Sequence, residues 1–232
     1  MKKPLFKSIG IVLSFIISLS MFAEGKVLYS IDFSNVTSAD ARAWLKENGF
    51  SKIESAAKDP DKLGLYFQNN SLVFDTKTDL FAFMLNPTLH LDTAKKIRIT
   101  WGVNQFPDGA SYDEGVRNEA LMVYVYFGDK DQDSGSFFIP NCPYFIGLYL
   151  SKADTIDKFF TGRHFTEGGR FVCVGHPKLG ETVVSEYNIY DAFKKAFPDV
   201  TPVPFVSGVA LEVETSSTGP AKAFIKKIEI LD

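Results

Sequence analysis

The stretch Ala120-Leu121-Met122-Val123-Tyr124-Val125-Tyr126-Phe127 decides the fold. It is a near-continuous apolar run and reads as a central strand buried on both faces. The period of two puts Tyr124 and Tyr126 on one face, so both rings share one environment. Upstream, residues 96–103 alternate, with Ile97, Ile99 and Trp101 against Arg98 and Thr100. Residues 26–33 alternate in the same way. Residues 63–68, 71–75 and 80–85 are short runs rich in Phe, Tyr and Leu, and Asn69-Asn70 suits a tight turn. Downstream, residues 144–150, 171–175, 205–213 and 223–231 complete the set. Many short strands separated by Gly, Pro and Asn clusters predict an all-β protein, an antiparallel β-sandwich.

Two segments depart from this pattern and predict short peripheral α-helices. Residues 37–48 carry Thr37 as the cap, Asp40 in the first turn and Gly49 as the terminator. Residues 186–197 carry Ser185 as the cap, Tyr190, Phe193 and Phe197 at helical spacing, an Asp191–Lys195 pair and Pro198 as the stop. No repeat of fixed period and no linker interrupts the chain, so residues 26–232 read as a single domain.

Residues 1–23 have the order of a secretory signal peptide: Lys2, Lys3 and Lys7, then an apolar stretch over residues 9–22, then Ala23. The apolar stretch falls short of the roughly 20 residues that span a bilayer as a helix. Cleavage is expected after Ala23 or Gly25. The remaining protein is expected to be exported, periplasmic or extracellular, with no membrane span. Loss of the three lysines takes Lys+Arg from 25 to 22 against 28 Asp+Glu, moving the net charge from −3 to −6. That balance argues against gripping nucleic acid or anionic lipid. Cys142 and Cys173 could pair in an oxidising compartment if their strands form a hairpin around Asp157, or stay as buried thiols. His90, His164 and His176 have no zinc-like spacing with them.

The second half has a recognisable order. Asn118-Glu119 leads into the central strand, and Tyr144-Phe145-Ile146-Gly147 and Arg170-Phe171-Val172-Cys173-Val174 follow. The helix Tyr187–Phe197 carries Asp191, and the turn Thr215-Ser216-Ser217-Thr218-Gly219 enters the last strand. This resembles the bacterial exported domain-of-unknown-function family numbered 3047. The resemblance implies a jelly-roll-like sandwich, similar to carbohydrate-binding modules, with Asp191 as a family-like acid.

Asp129, Asp131 and Asp133 stand at alternate positions before Gly135, as carboxylates that converge on Ca²⁺ do, or as acids in a solvated turn do. No other cofactor is expected. The chain is 14% aromatic, with 22 Phe, 9 Tyr and 2 Trp. Trp101, Tyr112, Tyr124, Tyr126, Tyr144 and Tyr149 are candidates for stacking on sugar rings, against the alternative of sandwich packing. The polar connection over residues 106–118 adds Asp113 and Arg117, which could hydrogen-bond a polyol. Residues 161–169 form a second loop, with His164 and Glu167 three apart. There is no Gly-x-Ser-x-Gly, His-Glu-x-x-His or phosphate-cradling Gly loop. The leading expectation is non-catalytic binding of a glycan or cell-envelope component. A structural or protein-interaction module comes second, and glycan hydrolysis by a pair of carboxyls third.

Overall fold

A computed structural model describes residues 25–232. The expected signal segment, residues 1–23, lies outside the described residues. In chain order the elements are β1 (Val27–Asp32), α1 (Ala41–Glu47), β2 (Lys52–Ser55), β3 (Leu63–Phe67), β4 (Leu72–Thr76), β5 (Phe81–Asn86), β6 (Lys96–Gln105), β7 (Glu119–Gln132), β8 (Cys142–Tyr149), β9 (Phe159–Phe160), β10 (Gly169–Cys173), β11 (Val183–Asn188), α2 (Ile189–Ala196), β12 (Val206–Glu214) and β13 (Lys222–Leu231).

The strands form two facing sheets. One is six-stranded, in the order β11-β6-β13-β4-β3, with β1 also paired to β13. The other is seven-stranded, in the order β2-β5-β12-β7-β8-β10-β9. The chain crosses between sheets at β1–β2, β2–β3, β4–β5, β5–β6, β6–β7, β10–β11, β11–β12 and β12–β13, so this is the expected jelly-roll-like sandwich. All pairings are antiparallel except β8–β10, which run parallel. β4 holds the first half of β13 and β1 holds the second half, from Lys227 to Leu231.

β7 shows why the sequence folds this way. Leu121, Val123, Val125 and Phe127 join the core between the sheets. Met122, Tyr124 and Tyr126 join a second apolar layer on the outer face of the seven-stranded sheet. A strand apolar at every position thus separates two cores, as its continuous run requires. The six-stranded sheet contributes Ile97, Ile99, Trp101, Ile225, Ile228 and Ile230 to the first core.

Both helices start later than the sequence suggests. In α1 the cap is Asp40, whose carboxylate accepts from the backbone N–H of Arg42 at 2.9 Å and Ala43 at 3.0 Å. Two bonds from Arg42 to the Ala57 and Leu63 carbonyls, both 2.7 Å, pin α1 down. Residues 185–188 are strand, not the first turn of α2. The carboxylate of Glu186 is held by Lys96 at 2.8 Å and Arg98 at 2.9 Å across the ladder, and Asn188 becomes the cap. Phe193 of α2 then packs on Phe127, with ring centroids 4.7 Å apart.

Candidate functional site

Of the rings predicted as a stacking platform, Trp101, Tyr112, Tyr124, Tyr126 and Tyr149 are buried and Tyr144 is half-buried. Trp101 sits between the sheets, and its Nε1 donates to Ser185 Oγ at 3.0 Å. Tyr144 packs on Phe193 and Phe197 under α2. Tyr124 and Tyr126 do share one face, their rings stacked 6.0 Å apart, but that face is roofed. The roof is the connection over residues 106–118, which lays Tyr112 against Tyr149 at 4.4 Å, together with Phe160 and Phe165 from the segment after β8.

Asp113 and Asp154 fasten this roof. Buried Asp154 accepts from Ser111 Oγ at 2.9 Å, from Tyr149 Oη at 3.1 Å and from the Asp113 N–H at 3.3 Å. Asp113 accepts from the Thr155 N–H at 2.6 Å, from Thr155 Oγ1 at 2.9 Å and from Lys158 Nζ at 2.6 Å. Those donors hold its carboxyl down at about 2. Asp113 is therefore a loop fastener, whereas Arg117 is exposed at the rim.

Beneath the roof lies a pair of carboxyls. Glu119 and Glu212 stand close enough for their charges to repel each other. Tyr112 Oη donates to Glu119 Oε2 and Tyr124 Oη to Glu212 Oε1, both at 2.7 Å. Burial, then mutual repulsion, raises Glu119 well above the usual carboxylate range. Burial also raises Glu212. Both shifts favour the protonated carboxyl, and Glu119 Oε1 has no hydrogen-bond partner among the described residues. Both carboxyls are buried beneath the roof, whereas glycosidase carboxyls flank an open cleft that admits the sugar. The space beside Glu119 measures about 10 Å³, room for one water.

The other predicted positions are equally local. Asp191 completes the α2 cap: its N–H donates to Asn188 Oδ1 at 2.9 Å, and its Oδ2 accepts from Asn188 Nδ2 at 2.7 Å. Asp129 and Asp131 lie on β7, which runs on to Gln132, and Asp133 turns back to accept from the Gly135 N–H at 2.9 Å. An extended strand spaces alternate carboxylates about 7 Å apart rather than wrapping them round an ion. No group of three or more His, Cys, Asp or Glu is placed to hold a metal among the described residues. The predicted Cys142–Cys173 hairpin is absent because β8 and β10 are parallel. Cys173 stands opposite Tyr149, seven residues along β8 from Cys142, or about 23 Å away. Both thiols are free. Their burial raises Cys142 to about 12 and Cys173 to about 11. The Asn118-Glu119 pair and the late turn do meet: Asn118 Oδ1 accepts from Ser217 Oγ at 2.9 Å and Thr218 Oγ1 at 2.7 Å.

An open groove of about 210 Å³ lies on the other sheet, across the outer faces of β4, β13 and β6. Val73 and Phe224, both buried with only their edges reaching the surface, lie at its base, and Gln68, Asn69, Asn104, Thr182, Lys222 and Lys226 surround them. Gly102 lets the Phe224 ring lie flat on β6, since a Cβ there would overlap that ring and the Glu181 carbonyl oxygen. Lys222 is ion-paired with Asp75 at 2.6 Å. The side chains of Gln68, Asn69, Asn104 and Thr182 make no hydrogen bond among the described residues. Sequence reasoning missed this site because amides and hydroxyls, unlike aromatics, give no periodic signal. The Asn69-Asn70 turn, with φ of 51° and 57°, was its one legible piece.

No family model matches the chain, and no curated protein matches it in sequence. Among solved structures it is similar to the potassium-bound carbohydrate recognition domain of Emp46p, at 13% identity and TM-score 0.46, over 88% of this chain and 96% of that one. It is similar to the K3 cleaved adhesin domain of Lys-gingipain from Porphyromonas gingivalis W83, at 11% identity and TM-score 0.40, over 89% and 100%. A third is the apo form of BiXyn10A CBM1, at 7% identity and TM-score 0.37, over 89% and 99%.

Proposed function

We propose that this protein is a non-catalytic binding module whose ligand is a glycan, held in the groove of the six-stranded sheet. The observation that carries this reading is the ring of amide and hydroxyl groups around an open groove with no partners of their own. Buried polar groups find partners, and solvated ones gathered round an apolar floor are what a polyol needs: bidirectional donors and acceptors above a hydrophobic patch. The buried tyrosines and the carboxyl pair of the other sheet serve the fold in this reading.

The test is binding of the full chain to an array of neutral and acidic polysaccharides, followed by titration calorimetry on any hit. Asn104→Ala, an exposed substitution, is expected to weaken binding about tenfold, the equivalent of one lost hydrogen bond of about 1.4 kcal/mol. Silence across the array overturns the reading. A second reading, docking to another protein, is favoured by one observation. Phe137 and Phe138, 98% and 90% exposed, project side by side from the loop after β7.

A further inference from the structure

Resting on the glycan reading above, we infer that the groove selects a saccharide bearing a carboxylate, of the uronic acid type. No aspartate or glutamate lines the groove, whereas two lysines do. This is unlike the rest of the chain, which has more acidic than basic residues. The two lysines differ. Lys222 is neutralised by Asp75, which it meets at 2.6 Å. Lys226 Nζ stands over the Phe224 ring, 5.9 Å from its centroid, and pairs with no carboxylate among the described residues.

The backbone places Lys226 there. Along β13, Ile225 lies opposite Trp101 and Lys227 opposite Thr100, so Lys226 is the extra residue of a β-bulge. Alternation carries Lys226 to the same outer face as Lys222 and Phe224, and the bulge then keeps Lys227 out of the core as well. Here the inward positions step from Ile225 to Ile228. The inserted residue therefore leaves the core pattern intact and adds an ammonium at the groove wall.

A sugar carboxylate has what this wall lacks. One oxygen can take the Lys226 ammonium, and the amide N–H groups of Asn69 or Asn104 can donate to the other. Charge-assisted bonds of this kind are about twice as strong as neutral ones. The apolar face of the sugar ring would lie over Val73 and Phe224.

The experiment compares paired oligosaccharides of equal length: glucose with glucuronate, galactose with galacturonate, mannose with mannuronate. Each is titrated into the full chain and into Lys226→Gln and Asn104→Ala. In at least one pair the uronate is expected to bind at least tenfold tighter. Lys226→Gln should abolish that preference, read as the ratio of uronate to neutral affinity in the variant, and added salt should shrink it. Equal binding of both members, with Lys226→Gln silent and Asn104→Ala weakening both, overturns the selectivity and leaves the glycan reading standing. No binding in any pair or on the polysaccharide array overturns both.

Discussion

A carboxyl buried beside a second carboxyl holds its proton more tightly than it does in the unfolded chain. Glu119 and Glu212 are both shifted upward, Glu212 from 4.5 to about 8. Between those values the folded chain binds more protons than the unfolded one, so stability falls as pH rises. The contribution is complete below pH 4.5, shrinks as pH climbs through the window and is gone above it. Thermal unfolding followed from pH 4.5 to 8 should show the melting temperature dropping. The double variant Glu119→Gln, Glu212→Gln, which keeps shape but cannot titrate, should flatten that slope. A slope unchanged in the variant would assign it to other groups. Asp113 acts outside this window, because its downward shift matters only as pH falls from 3.8 towards 2.

At the scale of elements, the reciprocal Asn188–Asp191 cap decides where β11 ends and α2 begins. Asn188→Ala removes both side-chain bonds, and chemical denaturation should register a loss of about 1 kcal/mol. A change within 0.3 kcal/mol, roughly the noise of additive surface changes, would mean that the Glu186 ladder contacts alone set the boundary. The same segment shows what the sequence conceals. Helical spacing of Tyr190, Phe193 and Phe197 reveals that a helix exists, but its start depends on cross-strand partners Lys96 and Arg98, far away in the chain. Strands were legible wherever one or both faces are apolar, as in β6 and β7. The parallel β8–β10 pair was not, because direction leaves no mark on composition. The aromatic candidates failed for a related reason. Period two shows that Tyr124 and Tyr126 share a face, yet nothing local announces that residues 106–118 will cover it.

The whole molecule has two apolar cores divided by one sheet, and β7 gives alternate side chains to each. Neither core can loosen without exposing the other side of that strand, so unfolding should be a single cooperative event. Fluorescence of Trp101 and Trp44, which report the core between the sheets, should therefore change at the same denaturant concentration as near-ultraviolet circular dichroism of Tyr112, Tyr124 and Tyr149 in the outer layer. Separated midpoints would show that the roofed layer melts by itself. The pairing of β1 with β13 has a mechanical side. Val27 lies opposite Leu231, and the Asp232 N–H donates to the Lys26 carbonyl at 3.1 Å. Tension applied between residues 26 and 232 would thus unzip this ladder bond by bond, towards Lys227, instead of shearing it all at once. The last bond of the run, from the Phe33 N–H to the Lys226 carbonyl at 2.8 Å, ends at the groove residue itself, and β4 and β6 flank that half of β13 independently. Traction on the chain would be spent on peeling β1 before it reached the groove, so a ligand there would be shielded from load by a sacrificial strand.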